Sequence, residues 1–173
     1  MTPQPSILMH GVFMNIFDVG TLLTGESGVG KSELALALIN RGHQLIADDA
    51  VEFFSDNDDW LTGRAPEALK NLLEIRGIGI FNILSLFGTS AITEEKALSL
   101  AIQLTDVSPI PRVPGNPILE TKPILNTPIV HTNLPAARQR RSELLVEMLV
   151  LHYKLQQNAK PPTLLHPAAA TST

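Results

Sequence analysis

Thr21-Leu-Leu-Thr-Gly-Glu-Ser-Gly-Val-Gly-Lys-Ser-Glu-Leu-Ala-Leu-Ala-Leu-Ile-Asn-Arg41 passes from a β-prone run, through a glycine-rich turn, into a block of strong helix formers. The helix formers begin at Lys31, and Gly42 is a natural stop because glycine takes the left-handed conformation that closes helices. Residues 25–32 satisfy G-x-x-x-x-G-K-[ST] in the context that motif needs, after a strand and at the head of a helix. Gly25, Gly28 and Gly30 let the loop's backbone N–H groups, those of Glu26, Ser27 and Val29 among them, converge on phosphate oxygens. The helix N-terminus adds about half a positive charge at the same place. Lys31 is positioned to neutralise the terminal phosphates, and Ser32 to put its hydroxyl on the Mg²⁺ that bridges them. ATP and Mg²⁺ are the expected cofactors.

Working outward, Val12-Phe-Met-Asn-Ile-Phe17 and Thr21-Leu-Leu-Thr24 read as two strands joined by a tight turn at Asp18-Val-Gly20. After the helix, Gln44-Leu-Ile-Ala-Asp-Asp-Ala-Val-Glu-Phe-Phe54 returns as strand, interrupted by two adjacent carboxylates, and Asp56-Asn-Asp-Asp59 supplies a turn. This alternation implies an α/β core. Pro66 is placed to begin a short helix through Leu72. The apolar run from Leu73 to Asn82, broken by two glycines, is either a buried strand or a loop held close to a ligand. Residues 97–105 are strand-like, whereas the seven prolines from Pro109 to Pro135 predict irregular or edge structure. Leu144, Leu145, Met148, Leu149, Leu151 and Leu155 form a helical stripe that should pack on the core or on another subunit. Residues 1–157 are expected to form one domain and 158–173 a disordered tail.

Composition narrows the function classes. A chain of 173 residues, 44% of them hydrophobic, can bury one core, and its single Trp, single Tyr and six Phe make that core mainly aliphatic. With no cysteine there is no disulfide framework, thiolate metal site or cysteine nucleophile, which fits a reducing compartment, and the cytoplasm is the expected location. A net charge of −4 and a pI near 5.7 argue against nucleic-acid binding. The basic run Arg138, Arg140, Arg141 reads as a solvated helix start. No long apolar stretch suggests a membrane span, and the N-terminus has no secretory pattern.

Several side chains could act on a phosphate acceptor. Asp48 and Asp49 end an apolar run, so at least one should project from a strand end beside the phosphates. Opposed side-chain directions in a strand give them different jobs, one toward metal or acceptor and one toward structure. A carboxylate there could deprotonate a hydroxyl, although such a pair also simply begins turns. Glu74 and Arg76 sit in apolar surroundings, where burial requires a partner: each other, a metal or phosphate. His10, between Met9 and Gly11, reads on its own as a core or surface residue.

Four blocks together carry a family signature: His10-Gly-Val12, Thr24-Gly-Glu-Ser-Gly-Val-Gly-Lys-Ser-Glu33, Arg41-Gly-His-Gln-Leu-Ile-Ala-Asp-Asp-Ala-Val-Glu52 and Leu73-Glu-Ile-Arg-Gly-Ile-Gly-Ile-Phe-Asn82. In this order they resemble the catalytic domain of bacterial HPr kinase/phosphorylase, from about residue 6 to residue 90. The resemblance implies an enzyme that phosphorylates a serine of the phosphocarrier protein HPr and reverses the step with inorganic phosphate, releasing pyrophosphate. It implies that His10 and Lys31 are active-site residues, that Asp49 is the base that becomes the acid in reverse, and that Ser32 and Glu74 are Mg²⁺ ligands. Asp48 and Arg76, in the same blocks, complete the candidate catalytic set. The implied fold is a P-loop core of the phosphoenolpyruvate-carboxykinase-like type, a mixed sheet with flanking helices, assembled as a hexamer. The resemblance also implies that family members usually carry a separate N-terminal domain ahead of this region. The nearest counterpart of the family's dephosphorylation loop is Pro111-Arg-Val-Pro-Gly-Asn116, early in the chain and with one arginine. A P-loop kinase for another acceptor, or an ATP-binding regulatory module, are the alternatives.

Overall fold

Short, nearly continuous apolar runs make the first strands, and the computed structural model describes residues 3–55, 59–137 and 140–159. Val12–Ile16 (β2) and Val19–Thr24 (β3) form an antiparallel pair closed at Phe17 and Asp18, both with left-handed φ, 49° and 65°. Such a turn matches the right-handed twist of its strands. Ser6–His10 (β1) precedes them. Lys31–Asn40 is helix α1, and Gly42 follows it with φ of 97°, the left-handed stop its sequence predicts. Gln44–Ala47 (β4) and Ala50–Ser55 (β5) are separated by Asp48 and Asp49, as the interrupted apolar run indicates.

Beyond Leu61–Arg64 (β6) come the hairpin Leu72–Ile75 (β7) with Gly79–Asn82 (β8), the short helix Ile83–Phe87 (α2), and the long strand Glu95–Thr105 (β9). Glu120–Ile124 (β10), Thr127–Pro135 (β11) and Ser142–Ala159 (α3) complete the described chain. Nine strands form one sheet in the order β1-β5-β6-β9-β3-β2-β4, with β11 on β9 and β10 on β11. β9 runs parallel to β3 and β11 but antiparallel to β6. The fold is therefore α/β with a mixed sheet and flanking helices.

Alternation along the strands separates two apolar layers. Val12, Met14, Leu23, Leu100 and Ile102 point to the face covered by α1 and α3, where Leu38, Val146 and Val150 are fully buried. Phe13, Leu22 and Ala101 point the other way, onto Phe53, Leu61 and Ile129. Burying each such side chain stabilises the fold by about 1.5–3 kcal/mol before entropy is charged against it.

Four expectations change. The helix from Pro66 is a single 3-10 turn, Glu67–Leu69, because Leu72 is already committed to β7. The proline-rich stretch is irregular only through residues 106–119. β11 is an interior strand, between β9 and β10, and Pro123 faces Pro128 across the β10–β11 ladder, so two missing donors coincide at one position. On α3 the buried positions are Val146, Glu147 and Val150; of the expected stripe Leu145 and Leu149 do pack against the core, partly buried, whereas Met148, Leu151 and Leu155 are exposed, so only part of the stripe meets it. Helix α3 continues through Asn158 and Ala159, which removes them from the expected tail. The rest of that tail, residues 160–173, and residues 56–58 of the expected turn lie outside the described residues.

Candidate functional site

The loop of residues 25–32 hangs between the end of β3 and the start of α1. At Gly25, φ is 143° and a Cβ would lie 2.7 Å from the Leu104 carbonyl oxygen, so only glycine lets the chain leave the strand so close to β9. Lys31, the first residue of α1, is buried, and its Nζ donates to the carbonyls of Gly25 and Glu26 at 2.8 and 3.0 Å. Burial pulls its ammonium below the ordinary lysine value, against the opposing attraction of Asp48. Behind it the Val29 amide donates to the Glu26 carbonyl at 3.2 Å, fixing the curl of the loop.

The two aspartates sit in the bend between β4 and β5, and their environments differ sharply. Asp48 is buried; its Oδ1 accepts from the Ser32 hydroxyl at 3.2 Å and its Oδ2 from the Glu74 amide at 2.9 Å. Burial raises its pKa in spite of those hydrogen bonds. One carboxylate thus joins the first turn of α1 to the β7–β8 hairpin. Asp49 has φ of 68°, and its side chain is 65% exposed, with Oδ1 3.3 Å from Nδ1 of His10, itself 60% exposed. A left-handed aspartate is tolerated in a tight bend, and here it throws the carboxylate outward from the sheet end. The Gly11 amide donates to the Asp49 carbonyl at 3.1 Å, and the Ala50 amide to the Asp48 carbonyl at 2.8 Å. His10 faces Ala50 in the β1–β5 register, which brings its imidazole to the same end as Asp49.

Glu74 and Arg76 were expected to be buried and paired. Both are exposed, because the hairpin pairs with no strand of the main sheet and turns Leu73 and Ile75, with Phe81 partly buried beside them, toward the core. Arg76 Nη2 instead donates to the Ser27 hydroxyl at 2.7 Å, laying a guanidinium along the loop. Glu74 and Arg76 line the same cavity of about 220 Å³ as His10, Lys31, Ser32 and both aspartates. Every candidate catalytic and metal residue therefore reaches one cleft. Glu33, part of the loop block, and Gly11 also line it.

The donors offered to a divalent cation are all oxygens: the Ser32 hydroxyl and the carboxylates of Glu74 and the aspartates. That set suits Mg²⁺, which uses one or two protein oxygens and completes its shell with water and substrate phosphates. Among the described residues no group of three or more His, Cys, Asp or Glu is gathered tightly enough to hold an ion unaided.

Two features escape sequence reasoning. The basic run was read as a solvated helix start. Arg140 and Arg141 are indeed exposed just before α3, Arg141 pairing with Glu143 at 3.1 Å, and Arg138 lies outside the described residues; what the run did not announce is that Arg140 donates to the Pro135 carbonyl at 3.0 Å and lines a recess beside Gly28 and Gly30. The second is Glu147, which accepts from Arg41 Nε and Nη2 at 2.7 Å each and contacts His43 Nε2 at 2.8 Å. Its only signal was a carboxylate between valines on the inner stripe of α3.

Comparison with known proteins sets these contacts in a family. The family described as HPr Serine kinase C-terminal domain matches residues 3–164, so the likeness extends well past the first half of the chain, where residue motifs alone had ended it. An HPr kinase/phosphorylase of Neisseria meningitidis serogroup C / serotype 2a is 44% identical over 167 residues, 94% of this chain and 52% of that protein. One of Geobacillus kaustophilus is 40% identical over 154 residues, 88% of this chain and 50% of the relative. The chain spans about half the length of the curated relatives it matches. A solved structure, described as the Hpr(Ser) kinase/phosphatase from Coxiella burnetii, agrees with a TM-score of 0.82 at 35% identity, covering 88% of this chain and 93% of that one.

Proposed function

The chain belongs to the HPr Serine kinase C-terminal domain family, and on that premise we propose that it transfers the terminal phosphoryl group of ATP to a serine of the phosphocarrier protein HPr. The observation that carries the proposal is the exposed Asp49 carboxylate, held in a left-handed bend beside His10, on the same cleft as Lys31 and Ser32.

The loop amides and Lys31 hold the phosphates, and Arg76 adds positive charge from the hairpin. Asp49 accepts the serine proton as the serine oxygen bonds to the terminal phosphorus and the bond to the nucleoside diphosphate breaks. His10, at 3.3 Å, orients that carboxylate. Asp48, engaged by Ser32 and the Glu74 amide, keeps the hydroxyl and the hairpin in place rather than meeting the acceptor. Ser32 and Glu74 would hold Mg²⁺, which supplies charge neutralisation across the phosphates when bound. In reverse, inorganic phosphate attacks the phosphoserine phosphorus, Asp49 returns its proton to the departing serine oxygen, and pyrophosphate leaves. Self-association and a cytoplasmic setting belong to the same proposal; among the described residues no helix is long and apolar enough to cross a membrane.

The test is incubation with ATP labelled at the terminal phosphate, Mg²⁺ and purified HPr. Label should appear on HPr with the native chain and fall by at least about 10²-fold with Asp49→Asn, the scale of a lost general base. Tight ATP binding with no label on HPr would instead mark a nucleotide-responsive module.

A further inference from the structure

Two cavities flank the loop. Besides the cleft with Asp49, a recess of about 570 Å³ lies between the first turns of α1 and the foot of α3. Gly28, Gly30 and Glu33 line both, so the two are joined across the loop, whereas neither aspartate, nor His10, Glu74 or Arg76, lines the recess. We propose that this recess seats the nucleoside end of the nucleotide, with Asp106 accepting hydrogen bonds from its hydroxyl or amino groups. The inference rests on the nucleotide reading above.

Direction is the first argument. In phosphoryl transfer the attacking and leaving oxygens lie roughly in line on opposite sides of phosphorus. Asp49 marks the acceptor's side, so the leaving nucleoside diphosphate must run away from it, over the loop amides, and the recess is where that path leads. A neighbouring cavity of about 590 Å³ meets the strand at Thr24 but reaches no residue of the loop itself.

Lining chemistry is the second argument. Leu104, Ala136 and Ala137 give the recess a small apolar wall that leaves room for a planar base, and its volume lies within the roughly 300–1,000 Å³ usual for ligand pockets. Around that wall stand the carboxylates of Glu33, Asp106 and Glu143. Glu143 is paired with Arg141, and Arg140, the one cation lining the recess among the described residues, donates to the Pro135 carbonyl. Glu33 and Asp106 remain as acceptors, and three carboxylates against the one guanidinium of Arg140 leave the recess lining net negative among the described residues. Acceptor-only groups repel phosphate and suit the ribose hydroxyls or an exocyclic amine, the neutral, donor-bearing end of the molecule.

Isothermal titration of the chain in Mg²⁺ with ATP and with tripolyphosphate tests this, because tripolyphosphate carries the phosphates without the nucleoside. The native chain should bind ATP at least about tenfold tighter than tripolyphosphate. Asp106→Ala, at an exposed position, and Ala136→Trp, which fills the recess, should each erase most of that difference and leave tripolyphosphate binding within about twofold. Equal affinity of the native chain for both ligands, an ATP advantage untouched by both variants, or parallel loss of both ligands in Asp106→Ala would overturn the assignment while the loop reading stands. Failure of the native chain to bind either ligand would overturn both.

Discussion

Lys31 bonds the carbonyls of its own loop, and burial already lowers its affinity for a proton. A phosphate that reaches it replaces those carbonyls with a charge-assisted bond. Lys31→Ala should therefore weaken ATP binding by about 1.5–3 kcal/mol in calorimetric titration, and unchanged affinity would remove the loop from the nucleotide site. At this scale the sequence is informative about identity and poor about environment. That Asp48 and Asp49 would face different ways was readable from the sequence, because neighbours in an extended chain point apart, and the structure does give them different environments, one buried and one exposed. Which one is buried depends on the left-handed φ at Asp49, and nothing local to an Asp-Asp pair announces that. For Glu74 and Arg76 the apolar run left two readings open, a buried strand or a loop held close to a ligand; the two glycines allow a hairpin apart from the main sheet, which leaves both side chains exposed on the cleft.

Between elements, the contact with the clearest electrostatic consequence is Glu147 on α3 reaching Arg41 and His43 after α1. The Arg41 hydrogen bonds hold the Glu147 carboxyl below the ordinary glutamate range, with His43 adding to the effect and burial opposing it. A depressed acid stabilises the fold above its unfolded pKa, and the benefit is lost as pH falls through the folded value. Glu147→Gln should accordingly lower the Tm by several degrees at neutral pH, and the gap from the native chain should narrow as the pH drops below the glutamate range. A gap that stays constant with pH would show that packing alone carries the effect. Helix α3 was predictable as a helix over nearly its true length. Its inward face was not, since leucines occur all round it and only tertiary packing selects Val146 and Val150.

For the molecule as a whole, β9 is the shared member: Glu95, Lys96 and Ala97 pair with β6, and the strand then serves β3 and β11. Two layers built on one strand should melt together. The single tryptophan, Trp60, precedes β6, so its emission reports one limb of the sheet while far-ultraviolet circular dichroism reports all of it. Coincident thermal midpoints are expected; separated ones would show that the limbs are independent. The class of the fold was readable from its strand, loop and helix alternation, but the strand order was not, because pairing partners distant in sequence are chosen by whole-sheet packing. His10 lies on β1, the first strand in the sheet order, where four of the five residues are exposed. Fraying of such a border ribbon costs far less than global unfolding. Warming can therefore carry the imidazole off while the loop and both aspartates persist, so that the cleft is dimmed well before the molecule melts.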